Sequence, residues 1–320
     1  MSSFSDDGGS TFSAPVRING AGQARAVGTA ITLDEHHGVY IAYFDLRDDA
    51  RDYQGLAGPT WDGKWALYVA TSRDGGTTFG PPALVDDKLA PSGRVMLIYT
   101  MPGPSLVARK GRVVIAWDDA RNGDSDVFLS SSRNLGVDWS PPTRVNDDPI
   151  GNGRSQYLPR VDMSEKGRLD VIYYDRRNDP ENTRADVYLT SGDARTLAMR
   201  GSVRVTSTPS DSRSGEDYLV PSAQGLVDFG SRLASLSEDN GLVAAWTDTR
   251  DSPAPPYQDI FAAPIELSES PSGSPHVEGM LIVAAAVALS SATAVSVWRR
   301  RRHASSSSPP AASPWPASDS

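Results

Sequence analysis

The chain repeats itself, and that constrains its fold more than anything else in it. Ser72-Arg73-Asp74-Gly75-Gly76-Thr77-Thr78-Phe79 returns almost residue for residue as Ser5-Asp6-Asp7-Gly8-Gly9-Ser10-Thr11-Phe12. Ser132-Arg133-Asn134-Leu135-Gly136-Val137-Asp138-Trp139 is a looser copy with Asn in the acid's place, and Ser191-Gly192-Asp193 is a worn fourth. Written Ser-x-Asp-x-Gly-x-Thr-aromatic, the pattern describes a tight hairpin turn. The Asp or Asn side chain accepts hydrogen bonds from turn N–H groups, glycine takes the positive φ that a side chain resists, and the aromatic tucks back into the sheet. Self-similarity of this kind marks a repeat architecture.

A second element recurs in step with the first. Apolar runs end in aromatic-x-Asp-x-Arg or a close variant at Tyr43-Phe44-Asp45-Leu46-Arg47, Trp117-Asp118-Asp119-Ala120-Arg121, Tyr174-Asp175-Arg176-Arg177 and Trp246-Thr247-Asp248-Thr249-Arg250. Each run follows a polar, Gly-containing turn, and before that turn lies another short apolar strand. After each Asp-x-Arg come a loop of variable length and a third strand, beginning near Trp65, Asp126, Asp186 and Asp259. Fourth strands follow the turns around Pro82-Ala83-Leu84-Val85, Pro142-Thr143-Arg144-Val145 and Ser202-Val203-Arg204-Val205. Short strands punctuated by turn signals, without a convincing soluble helix, predict an all-β chain. Four antiparallel strands per repeat make the blade of a β-propeller. The copies parse as the outer part of one blade up to about Asn19, then four blades, the last ending near Ile265 without its turn and fourth strand. Either Pro15-Val16-Arg17-Ile18 supplies that missing strand and closes a four-bladed ring, or sequence preceding Met1 supplies further blades. The second is the expectation, because Met1-Ser2-Ser3-Phe4-Ser5-Asp6 has no apolar signal-peptide core and an exported chain needs one.

Composition narrows the function. The 320 residues carry a net charge of −9, and four arginines are concentrated at 299–302, so the body is more acidic than the total. That argues against a nucleic-acid partner, which would require a basic stripe. Cysteine is absent, which removes disulfides, thiolate nucleophiles and Cys-based metal sites. The four histidines (His36, His37, His276, His303) lack metal-ligand spacing, and no phosphate loop or dinucleotide fingerprint is found. No cofactor is expected. Acidic loops such as Asp45-Leu46-Arg47-Asp48-Asp49 offer carboxylates for Ca²⁺, with solvated surface charge as the plainer reading.

The stretch 279–298 is uncharged, long enough to cross a bilayer as a helix, and followed directly by Arg299-Arg300-Arg301-Arg302. Positive flanks stay cytoplasmic. The organisation expected is a propeller over 1–266 outside the cell, a linker at 267–278, a single span at 279–298, and a basic, Ser/Pro-rich cytoplasmic tail at 299–320.

The turn at 72–79 resembles the Asp box of the sialidase (neuraminidase) superfamily, whose bacterial-neuraminidase repeats place such a turn within each of several blades. The match is complete at 72–79, nearly so at 5–12, and recognisable at 132–139. The resemblance spans roughly 5–265 and implies a propeller, six-bladed in the true sialidases, of which about four blades are present here. It also implies exo-acting hydrolysis of terminal sialic acid in the catalytic members, though many Asp-box proteins have other roles. The Phe/Tyr-Arg-Ile-Pro segment of true sialidases is missing, and Pro15-Val16-Arg17-Ile18 is only superficially similar.

The resemblance also implies where and what the site is. The boxes join strands three and four, on the same face as the strand one-to-two turns, where His36 and His37 lie. The opposite face receives the loops after each Asp-x-Arg and the connections entering each blade. Family members hold a substrate carboxylate with arginines, a geometry that guanidinium suits, and attack with a Tyr activated by Glu. Carried over, this suggests Arg94, Arg154 and Arg213 for substrate, Tyr218 and Glu216 as the nucleophile pair, and Asp119 as acid/base. The alternative is that repeated Arg, Tyr and Asp-x-Arg residues fasten blades together. The two function classes are therefore a membrane-anchored glycoside hydrolase, and a non-catalytic propeller binding glycans or proteins at the cell surface.

Overall fold

The computed structural model describes residues 1–49, 63–90, 103–211, 233–250 and 259–267. These fold into four successive antiparallel sheets, each a meander in which neighbours in sequence are neighbours in space. The first contains β1 (Ala26–Leu33), β2 (Val39–Asp45), β3 (Trp65–Ser72) and β4 (Ala83–Leu89). The second holds β5 (Ser105–Arg109), β6 (Arg112–Asp119), β7 (Asp126–Ser132) and β8 (Thr143–Arg144). The third holds β9 (Gln156–Met163), β10 (Arg168–Asp175), β11 (Arg184–Asp193) and β12 (Val203–Arg204), with β13 (Ser210–Asp211) also on β11. The fourth comprises β14 (Ala234–Glu238), β15 (Gly241–Asp248) and β16 (Asp259–Glu266). No helix occurs among the described residues.

The apolar runs read as second strands are β2, β6, β10 and β15. Their unbroken hydrophobicity follows from being covered on both faces. Side chains alternate across a strand, so β6 sends Val113, Ile115 and Trp117 toward Tyr40, Phe44 and Leu67 of the first sheet. It sends Val114 and Ala116 toward Val161, Val171 and Tyr173 of the third. β10 behaves likewise, with Ile172 and Tyr174 meeting Leu242, Ala244 and Trp246 of the fourth. The leading strands touch in succession, β1 on β5, β5 on β9 and β9 on β14. Sheets stacked face to face with their first strands innermost are the blade arrangement of a propeller.

The turns at 72–79 and 132–139 close the β3–β4 and β7–β8 connections, and the turn at 5–12 is closed by the Ser2–Val16 bridge. In 72–79, Ser72 Oγ donates to Asp74 Oδ1 (2.7 Å) and accepts from Gly76 N (2.8 Å). Asp74 also takes Thr78 N (2.8 Å) and Thr78 Oγ1 (2.6 Å). Residues 5–12 make the same bonds through Ser5, Asp7, Gly9 and Thr11. Hydrogen bonds from the Thr side chain and backbone and from the Ser hydroxyl hold both Asp7 and Asp74 at about 2. The third copy reverses one bond: Asn134 Nδ2 donates to Asp138 Oδ2 (2.7 Å), where the second copy has Thr78 donating to Asp74. Gly136 sits at φ +84°, and a Cβ there would lie 2.7 Å from Thr71 Oγ1, so this turn needs glycine for space as well as torsion.

The end sheets bear on how the ring closes. Pro15-Val16-Arg17-Ile18 does not join the fourth sheet: among the described residues β16 pairs with β15 alone. Val16 instead bridges Ser2, and Ile18 is buried against Val39, Ile41, Tyr43 and Ala70, on the face of the first sheet turned away from the second. The four-bladed closure through this segment is therefore not the arrangement seen. No described helix is long and apolar enough to cross a membrane, and the expected span, 279–298, lies outside the described residues, as do the linker from 268 and the tail.

Candidate functional site

The hydrogen-bond registers place the two ends of each sheet. Asp119 pairs with Asp126 at one end of β6, and Val113 pairs with Ser132 at the other. The Asp-x-Arg loops and the blade entries thus share the face opposite the Ser-x-Asp turns. Of the sequence-derived site residues, Arg94, Arg213, Glu216 and Tyr218 lie outside the described residues. Asp119 and Arg154 can be placed.

Asp119 is 1 % exposed. It accepts from Trp117 Nε1 (2.9 Å) and from Arg121 through Nε and Nη2, and Arg121 Nη2 also reaches Asp86 Oδ2 of the preceding sheet at 2.5 Å. The Arg121 guanidinium lies 4.4 Å from the Phe128 ring centroid. The same construction recurs. Arg177 binds Asp175 and Asp147 and covers Tyr188. Arg250 binds Asp248 and covers Phe261, while Trp246 Nε1 donates to Asp248. Asp119 occupies one of these repeated positions. Its oxygens are engaged by a neighbouring indole and guanidinium, the arrangement of a fastener between blades. Arg121, its partner, is held more firmly protonated than usual: burial works against the charge, but bonds to Asp119 and Asp86 outweigh it.

Arg154 precedes β9 and joins a second cluster of polar side chains. Its N–H donates to Asp124 Oδ2 (3.0 Å) and Asn152 Oδ1 (2.7 Å), and its Nη1 donates to the Pro180 carbonyl (2.5 Å). Ser155 N donates to Asn182 Oδ1 (3.1 Å). Beneath lies Gln156, fully buried, whose amide bridges Asn146, Asp148 and Asp175 and pins the strand. Tyr157 follows, stacked on Tyr174 with centroids 5.6 Å apart, and Arg176 lies 4.9 Å over its ring. Burial pushes the Tyr157 phenol up against the opposing charge of Arg176, so at neutral pH it is a hydrogen-bond donor.

The backbone here is held in an unusual form. Leu158 has φ +56°, a left-handed conformation that costs a non-glycine residue about 1–2 kcal/mol. It coincides with a register shift between β9 and β10. The Leu158 N–H is captured by Asp118 Oδ1 of the second sheet at 3.0 Å, and Ser125 Oγ holds the other oxygen at 3.3 Å. Strain maintained by a neighbouring blade clusters at functional sites.

Two polar atoms of this cluster, Asp124 Oδ1 and Arg176 Nε, are buried with no hydrogen-bond partner among the described residues. Both atoms lie beneath the surface of the entry face, unmatched by the side chains around them. Sequence reasoning singled out the Arg154 connection but not Asp118, Asp124, Tyr157 or Arg176 as a group. One signal was present: Tyr157-Leu158-Pro159 echoes Tyr218-Leu219-Val220-Pro221 at the next blade entry. Among the described residues no group of three or more acidic or His side chains is arranged to hold a metal ion.

No family model matches the sequence, and no curated protein matches it either. Solved structures of similar chain path include a Penicillium chrysogenum α-L-arabinanase complexed with arabinobiose. It is 14% identical over 83% of this chain and 79% of that one, at TM-score 0.46. Zg3597, a family 117 glycoside hydrolase from Zobellia galactanivorans, is 13% identical over 84% and 73%, at 0.44. The Hadza microbial sialidase Hz136 is 13% identical over 74% of this chain and 44% of its own length, also at 0.44. Likeness at this level assigns neither residue roles nor a substrate.

Proposed function

We propose that this chain is a sialidase-like, membrane-anchored propeller that acts on glycans outside the cell, at the face opposite its Ser-x-Asp turns. The observation that carries the reading is the Asp-box turn itself. It is found at 72–79 and 5–12 with the same set of side-chain bonds, and at 132–139 with one bond reversed. The cluster around Arg154, Tyr157 and Arg176, with Leu158 held at φ +56°, supports the choice of face. In the hydrolase form of this reading, Arg94, Arg154 and Arg213 hold the substrate carboxylate, and Tyr218 with Glu216 supplies the nucleophile. Asp119 is the acid/base candidate that the resemblance supplies, with its carboxylate engaged by Trp117 and Arg121.

A second reading, a non-catalytic glycan-binding propeller, is favoured by one specific observation. Arg154 Nη1 is committed to the Pro180 carbonyl, which fits a positioning residue more closely than a free substrate clamp. Release of a fluorophore from an aryl sialoside by the whole ectodomain, abolished in Tyr218→Phe, supports the hydrolase. Saturable binding of sialylated glycans without release supports the binding module, and neither release nor binding refutes both. Retention of the full chain in membranes after alkaline extraction, lost on deleting 279–298, tests the anchor.

A further inference from the structure

The third turn differs from both of the first two at five positions, and three of the residues there, Asn134, Asp138 and Trp139, line one cavity. It has a volume of about 610 Å³ and lies between this turn and the worn turn of the next sheet, bounded also by Arg133, Pro141 and Thr196. In the complete copies the carboxylate sits at the third position and accepts from Ser and Thr of its own turn. Here it has moved to the seventh. Asp138 Oδ2 takes Asn134 Nδ2, while Oδ1 has no protein donor among the hydrogen bonds of the described residues. The turn stays closed because Asn134 Oδ1 accepts both Ser132 Oγ (2.9 Å) and Asp138 N (2.9 Å). The exchange leaves the turn intact and gives an exposed carboxylate an open acceptor.

The remaining lining fits a particular chemistry. Trp139 replaces the Phe of the other copies and is fixed in orientation, its Nε1 donating to the Gly136 carbonyl at 3.2 Å. Proline and the indole form an apolar wall. Arg133, whose Nη2 reaches the Arg195 carbonyl at 2.5 Å, and the Thr196 hydroxyl stand beside it. An aromatic wall with a carboxylate acceptor and polar donors at its edge matches a pyranose, which has an apolar C–H face and a rim of hydroxyls. The net charge of −9 and Asp138 itself disfavour an anionic sugar. We propose that the cavity between the third and fourth turns is a second carbohydrate-binding site, for a neutral pyranose stacked on Trp139 with hydroxyls on Asp138. It lies at the opposite end of the strands from the entry-face cluster, and its occupancy does not depend on catalysis there.

Methyl β-D-galactoside is a suitable probe, since its C3, C4 and C5 hydrogens form one continuous apolar face. Saturation-transfer NMR on the whole ectodomain should show transfer to those hydrogens at millimolar sugar. The double substitution Asn134→Asp with Asp138→Thr rebuilds the bonds of the second turn and should leave the melting temperature unchanged. It should weaken binding about tenfold or more, as expected for loss of hydrogen bonds to a charged acceptor. Trp139→Phe, which restores the aromatic of the other copies, should weaken it several-fold while sialoside release or binding at the entry face is unaltered. Absence of transfer from methyl β-D-galactoside, methyl β-D-glucoside and methyl α-D-mannoside alike overturns the proposal. So does transfer that persists undiminished in the folded double variant.

Discussion

Replacing Asp170 by Ala should be the most destabilising single change to the contact between the third and fourth sheets. Asp170 is the third residue of β10, 1 % exposed. It accepts Ser191 Oγ of β11 at 2.6 Å, Ser237 Oγ of β14 at 2.8 Å, and Arg168 through Nε and Nη2. Each hydroxyl bond to a charged acceptor contributes about 1.5–3 kcal/mol, and removing one partner of a buried ion pair costs about 3–5 kcal/mol. These terms overlap. Arg168 also keeps the carbonyls of Glu238, Asp239 and Gly241, so the guanidinium is not left bare. The low end, about 3 kcal/mol, is the expected loss. Urea unfolding followed by Trp fluorescence should show the midpoint falling accordingly, with Asp170→Asn in between because its amide oxygen still accepts one hydroxyl. Glu165→Ala is the control: its pair with Arg109 is exposed, with side chains 69 % and 32 % accessible, and should change stability by less than about 1 kcal/mol. If Asp170→Ala loses no more than this control, the account of Asp170 as an inter-sheet clamp is wrong.

Further tests address separate parts of the molecule. Burial alone would raise Asp179, but bonds from the backbone N–H groups of Arg184, Thr183 and Glu181 and from the Thr183 hydroxyl hold it at about 2. A depressed carboxylate stabilises the fold above its unfolded pKa of about 3.9 and loses that contribution as pH falls through the folded value. Hydrogen-exchange protection factors across 179–184, corrected for the intrinsic pH dependence, should fall between pH 4 and 2, and Asp179→Asn should remove that fall. Gly241 begins β15 where a Cβ would fall 2.1 Å from the Ile265 carbonyl oxygen. Gly241→Ala should separate β15 from the end of β16 and lower the melting temperature, whereas Gly20→Ala, whose nearest neighbour is the end of the Gln23 side chain, should be far milder. Trp117→Phe removes the fully buried indole and its bond to Asp119, and should cost about 1–3 kcal/mol by chemical denaturation. Tyr157→Phe should leave stability nearly unchanged but reduce glycan binding or release at the entry face; unaltered binding would take Tyr157 out of the site.

What could be read from the chain alone was what neighbouring residues settle between themselves. The turn at 72–79 closes through Ser72, Asp74, Gly76 and Thr78, all within eight residues, so its bonds follow from its spelling. The apolar runs of β2, β6, β10 and β15 follow from burial on both faces, and the repeat order from the spacing of the turns. The identity of the functional groups is not local in this way. Asp119 and Arg121 look like a charged pair at a strand end, and only the approach of Asp86, thirty-five residues earlier, shows them to be a fastener between sheets.

The entry-face cluster likewise depends on Leu158 being held left-handed by Asp118, forty positions away, and no periodicity encodes that bond. The cavity beside Trp139 needs Thr196 from the next sheet. The sequence determined blades and turns, because backbone torsion and alternation act over a few residues. Tertiary structure decided which polar groups are spent and which are left open, because that depends on what the facing blade brings within hydrogen-bond reach.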